Sequence, residues 1–95
     1  MRVDAAATAK IRDAAVINGW RLVVLFGSSA LGEGRDVDIA VIPEQMPDLW
    51  TQARWQNECE TIFAPKPVDL VVLDDTASPV LRFEVFRRGR CLFEA

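Results

Sequence analysis

Three apolar runs punctuate the chain at residues 22–26, 37–42 and 68–73, and none is longer than six residues. Such runs are too short for stable helices and too continuous for solvated edges, so they predict buried strands. Their ends carry the polar residues. Gly27-Ser28 closes the first run, Asp36-Val37-Asp38 opens the second, and Asp69 is the second residue of the third. Side chains alternate along a strand, which places Asp36 and Asp38 on one face with Val37, Ile39 and Val41 behind them. Two carboxylates converging at a strand end repel each other unless a cation joins them. The natural cation is Mg²⁺, a hard ion that takes oxygen ligands and keeps substrate phosphates in its shell. Gly27 permits close backbone approach, and Ser28 can offer its N–H and its hydroxyl to a phosphate at the start of a helical turn. Taken singly, a Gly-Ser is an ordinary turn and an Asp-x-Asp pair an ordinary solvated strand end. The order of strand, Gly-Ser, short loop, Asp-x-Asp strand, helix and Asp-bearing strand is far more specific, and reads as a metal-nucleotide site.

Helical patterns fill the spaces between the runs. Ala6, Ala7, Lys10, Ile11, Ala14, Ala15 and Asn18 recur at helical spacing before Gly19, which predicts a helix over 4–18 with a left-handed glycine cap. Asp48 is suited to N-cap a second helix over 48–63, with Trp55, Cys59 and Ile62 as its inward stripe and Trp50 and Ala53 partly joining it. Pro65-Lys66-Pro67 stops that helix and feeds the Asp69 strand. Ser78-Pro79 supplies a cap and a first-turn proline for a last helix ending at Gly89, and residues 90–94 read as a short edge strand.

The whole chain, residues 1–95, reads as one domain. Composition narrows the chemistry. A formal charge of −3 argues against direct nucleic-acid binding, which needs a basic footprint, although a nucleotide carrying its own Mg²⁺ needs none. The only basic cluster is Arg82, Arg87, Arg88 and Arg90, of which Arg87 and Arg88 suit the last turn of a helix. With no histidine in the chain, acid-base chemistry falls to carboxylates, water or metal. The two cysteines, Cys59 and Cys91, match no metal spacing and read as buried thiols. Trp20, Trp50 and Trp55 read as core or half-buried residues, and an exposed Trp50 or Trp55 would point to an interface. No apolar stretch approaches the ~20 residues of a membrane span, and the N-terminus lacks a secretory segment, so a cytoplasmic location is expected.

The motifs Leu25-Phe26-Gly27-Ser28, Asp36-Val37-Asp38-Ile39-Ala40-Val41 and Val68-Asp69-Leu70-Val71, with the tail from Ala77 to Glu94, resemble the minimal nucleotidyltransferase (MNT) domains of the DNA polymerase beta-like superfamily. Those domains pair with helical HEPN toxins in prokaryotic toxin-antitoxin modules. The resemblance implies an α/β (α+β) fold, a small mixed β-sheet flanked by helices. It implies Asp36, Asp38 and Asp69 as metal ligands and catalytic residues, two Mg²⁺ ions and ATP as nucleotide substrate. Gly27 and Ser28 would hold the distal phosphates, and AMP would pass to a hydroxyl of a HEPN-like partner protein. The chain departs from the family pattern in its loop. Only seven residues, Ser29 to Arg35, separate Ser28 from Asp36, and Ser29 and Leu31 stand where the family commonly has arginines. Arg35 is the candidate replacement charge. The alternative is an MNT-fold binding module that neutralises a toxin by contact alone. Homo-oligomerisation stays open, and since the chain contains no tyrosine, self-modification at tyrosine is excluded.

Overall fold

The structure is a computed structural model, described here for residues 5–27, 36–74, 87 and 89–95. Helix α1 spans Ala5–Asn18 and stops at Gly19, whose φ of +72° is the left-handed conformation that glycine adopts without a steric penalty. The chain then turns into β1 (Trp20–Phe26), which pairs antiparallel with β2 (Val37–Pro43). Helix α2 (Leu49–Phe63) begins where the Asp48 side chain accepts a 2.7 Å hydrogen bond from the Thr51 N–H, as a capping aspartate should. It carries the chain across to β3 (Val68–Val72), which pairs parallel with β2. Last comes β4 (Arg90–Glu94), antiparallel to β1 and at the sheet edge. The spatial order is β3-β2-β1-β4, a mixed four-stranded sheet as expected.

Both helices pack on one side of this sheet. Ile11, Ala14 and Ala15 of α1 and Trp55, Cys59 and Phe63 of α2 meet Val23, Leu25, Val37, Ile39, Val41, Val68 and Leu92 in the main core. Trp20 and Trp55 pack edge to face within it, ring centroids 5.4 Å apart. On the other side lies a smaller buried group, Val24, Ala40 and Leu73. Strand alternation alone divides these sets.

Two expectations fail. Trp50 and Ala53 do not join the inward stripe of α2. Trp50 is 86% exposed, because the five-position step from it to Trp55 turns the helix by about 140° beyond a full revolution. Phe63, four residues after Cys59, completes the stripe, with Ile62 half-buried beside it. Cys91 is exposed rather than buried: it pairs with Val24 on an edge strand, on the side of the sheet away from the helices. Cys59 is buried as read, and burial pushes its thiol up to about 12, with Glu58 and Glu60 adding to the effect, so it stays protonated and inert at neutral pH. The expected helix before Gly89 lies outside the described residues apart from Arg87, as do Arg82 and Arg88. Among the described residues no helix is long and apolar enough to cross a membrane.

Candidate functional site

The acidic residues gather at the end of β2. Parallel pairing sets Asp38 directly beside Asp69, and neighbouring strands in a sheet run ~4.8 Å apart. Both therefore face the side of the sheet that α1 and α2 leave uncovered. Asp36 stands in a bend just before β2, two residues from Asp38, and is exposed. Asp38 is half-buried and Asp69 exposed. Burial pushes the Asp38 carboxyl above its ordinary value, and the charge of Asp69, then that of Asp36, pushes it further in the same direction. The three acids thus act on one another through their charges. Among the described residues, however, no three acidic, histidine or cysteine side chains stand close enough to cage a single ion as they are.

Gly27 forms the opposite wall. Antiparallel pairing places Phe26 beside Asp38, and the next residue, Gly27, turns with φ +64°. A Cβ there would lie 2.8 Å from Asp38 Oδ2. Only glycine satisfies both the backbone angle and this approach, so bare backbone sits against the carboxylate. Ser28 and Arg35, the other candidate phosphate contacts, lie outside the described residues.

One neighbour of the site is invisible in the sequence. Gln56, on α2, reaches the outer edge of β3, where its Nε2 donates to the Val68 carbonyl at 2.6 Å and its Oε1 accepts from the Leu70 N–H at 3.2 Å. These are the residues on either side of Asp69. A glutamine within a helix carries no spacing signal that would single it out.

A groove of about 460 Å³ lies elsewhere, between α1 and α2, lined by residues such as Lys10, Ile17, Arg54 and Glu58. It contains none of the three acids. Exposed apolar side chains occupy the helical side of the molecule too: Val16 and Ile17 at the end of α1, Leu49 and Trp50 at the start of α2.

Comparison with known proteins places these features in context. The family described as "Polymerase beta, Nucleotidyltransferase" matches residues 10–95. No protein with a curated functional description matches the chain. Among solved structures, a toxin-antitoxin complex with AMP-PNP is 29% identical with a TM-score of 0.77, covering 93% of this chain and 73% of the other. A tri-AMPylated HEPN toxin in complex with MNT antitoxin from Shewanella oneidensis is 28% identical with a TM-score of 0.73, covering 94% and 71%. A third, a toxin-antitoxin complex in which two aspartates two positions apart are replaced by glutamate, is 26% identical with a TM-score of 0.77, covering 93% and 73%.

Proposed function

Because the chain belongs to the polymerase beta nucleotidyltransferase family, we propose that it is the MNT antitoxin of a HEPN toxin and transfers AMP from ATP to a hydroxyl of that partner. The observation that carries this reading is the register of β2 and β3, with Asp38 beside Asp69 and Gly27 against Asp38. Nucleotidyl transfer requires oxygen donors next to a phosphate cradle, and the pairing of Asp38 with Asp69 beside Gly27 supports that reading. Its fit to Mg²⁺ rests on chemistry: three carboxylates offer hard oxygen ligands, and the charges of Asp69 and Asp36, which add to the effect of burial in raising Asp38, favour a cation among them. Asp36, Asp38 and Asp69 would hold the ions, which when bound would supply positive charge to the triphosphate.

The chain's own residues account for the remaining tasks. The bare backbone of Gly27, together with Ser28, receives the distal phosphates, and Arg35 adds positive charge. Asp69, the more solvent-accessible of the paired acids, takes the proton from the acceptor hydroxyl. The acceptor oxygen then forms its bond to the α-phosphorus as the bond to the β-phosphate oxygen breaks, and pyrophosphate leaves with that electron pair. The partner is a protein of complementary apolar surface. Leu49 and Trp50, 82% and 86% exposed, support such a contact.

A second reading, neutralisation by contact alone, draws on one observation: no three described acids form a cage as they stand. One assay separates the two. Incubated with labelled ATP, Mg²⁺ and the cognate HEPN protein, the wild-type chain should label that protein with AMP. Asp38→Asn should lower transfer by roughly 10²- to 10³-fold while the complex still forms. A wild-type chain that binds and silences its partner without label would favour contact alone.

A further inference from the structure

We infer that Gln56 is a positioning residue for Asp69, clamping from α2 the strand edge that carries this carboxylate. The inference rests on the nucleotidyl-transfer reading of the acidic site. Among the described strands β3 lies at the edge, so only one of its sides is held by their ladder. On that inner side, the Val37 N–H donates to the Pro67 carbonyl at 2.8 Å, and the Leu73 N–H donates to the Val41 carbonyl at 2.9 Å. The backbone groups of Val68 and Leu70, in alternation, point outward. No described strand pairs with them there.

Gln56 takes the place of a fifth strand at that point. Its amide spans the Val68 carbonyl and the Leu70 N–H, fixing the peptide units on both sides of Asp69. Its orientation is determined by a third contact: Nε2 also donates to Glu60 Oε1, 2.8 Å away and one helical turn further on. Rotating the amide by half a turn would set its oxygen against two acceptors and its nitrogen against a donor, so one orientation satisfies all three partners. Asp69 is the second residue of a five-residue strand, where fraying would begin. The two bonds therefore hold the backbone that aims the Asp69 carboxylate toward Asp38. Gln56 touches neither substrate nor metal in this role. It acts through β3.

Two variants test this. Gln56→Met keeps the length and removes both bonds, while Gln56→Glu keeps an acceptor for Leu70 but loses the donor to Val68. Amide hydrogen exchange at Leu70 reads the clamp directly, Mn²⁺ binding by electron paramagnetic resonance reads the acidic site, and AMP transfer to the HEPN partner reads catalysis. Expected for Gln56→Met are faster exchange at Leu70 and a loss of Mn²⁺ affinity and transfer of roughly 10-fold, the range usual for groups that orient a ligand. Gln56→Glu, whose second oxygen would face the Val68 carbonyl and Glu60, should speed Leu70 exchange at least as much. In an Asp69→Asn background, Gln56→Met should lower Mn²⁺ affinity no further, an outcome that a general loss of stability would not produce. Faster Leu70 exchange with unchanged Mn²⁺ affinity and transfer would overturn the positioning role and leave the transferase reading standing. A wild-type chain with a protected Leu70 amide that neither binds Mn²⁺ nor transfers AMP would overturn both. If Gln56→Met does not fold, Gln56→Glu decides, and wild-type Mn²⁺ affinity in that variant counts against the inference.

Discussion

Val37 and Asp38 are neighbours in the chain, yet they sit on opposite sides of the sheet. Val37 is fully buried beneath α1 and α2 with Ile39 and Val41, whereas Asp38 faces the side that these two helices do not cover, beside Asp69 and Gly27. The contrast extends along the strands. The helical side holds almost all the core, including the Trp20–Trp55 pair, and the other side holds a small apolar group with acids at its end. A period-two strand thus lets one short segment contribute both stability and chemistry, because alternate side chains never compete for the same space. Substitutions on the two sides should accordingly separate folding from activity.

The largest separation is expected between Ile39 and Asp69. Ile39→Ala empties space in the main core and should cost about 2–5 kcal/mol, measured by urea unfolding. Asp69→Asn, at an exposed site, should stay within about 0.5 kcal/mol. An Asp69→Asn chain as unstable as Ile39→Ala would break the division of labour between the two sides.

Gly27 lies at the seam and should register in both measurements. Gly27→Ala forces an L-residue into the left-handed region, at about 1–2 kcal/mol, and drives a methyl to 2.8 Å from Asp38 Oδ2. Since the carboxylate must move to accommodate it, AMP transfer should fall further than the stability loss alone explains. Full transfer by a folded Gly27→Ala chain would show that the close approach is irrelevant to chemistry.

The smallest effect is one of pH. Burial, with Asp69 and Asp36, raises the Asp38 carboxyl above its ordinary 3.8, so the folded chain binds that proton more tightly than the unfolded chain does. The stabilisation is complete below 3.8 and is lost as the pH rises through the elevated folded value. The stability difference between metal-free wild type and Asp38→Asn, followed from about pH 3 to 6, should therefore shift against wild type as the pH rises. A difference that stays flat would mean that the acids do not feel one another.

Much of this was legible in the chain because it depends on short-range geometry. The Gly19 stop, the Asp48 cap and the turning of Asp38 away from Val37 and Ile39 follow from spacings within a single helix turn or strand. The same reasoning misjudged Trp50 by reading a face too broadly, and misjudged Cys91 by assuming that a cysteine in an apolar strand is buried. In both cases burial depended on what lay across the gap. For Trp50 no described residue buries that side of α2, and for Cys91 the edge strand turns it away from α1 and α2.

What the sequence by itself determined is the inventory and its local phase: which described strands form, where α1 stops and α2 starts, and that Asp38 turns away from the apolar residues on either side of it. Tertiary structure alone decided that Asp69, thirty-one residues after Asp38, would lie directly beside it, because the β2–β3 register is set by how α2 packs across the sheet rather than by any local spacing. It also decided that Gln56 would meet the backbone on both sides of Asp69. Periodicities of two and 3.6 residues act within one element, whereas the meeting of two elements depends on every side chain packed between them.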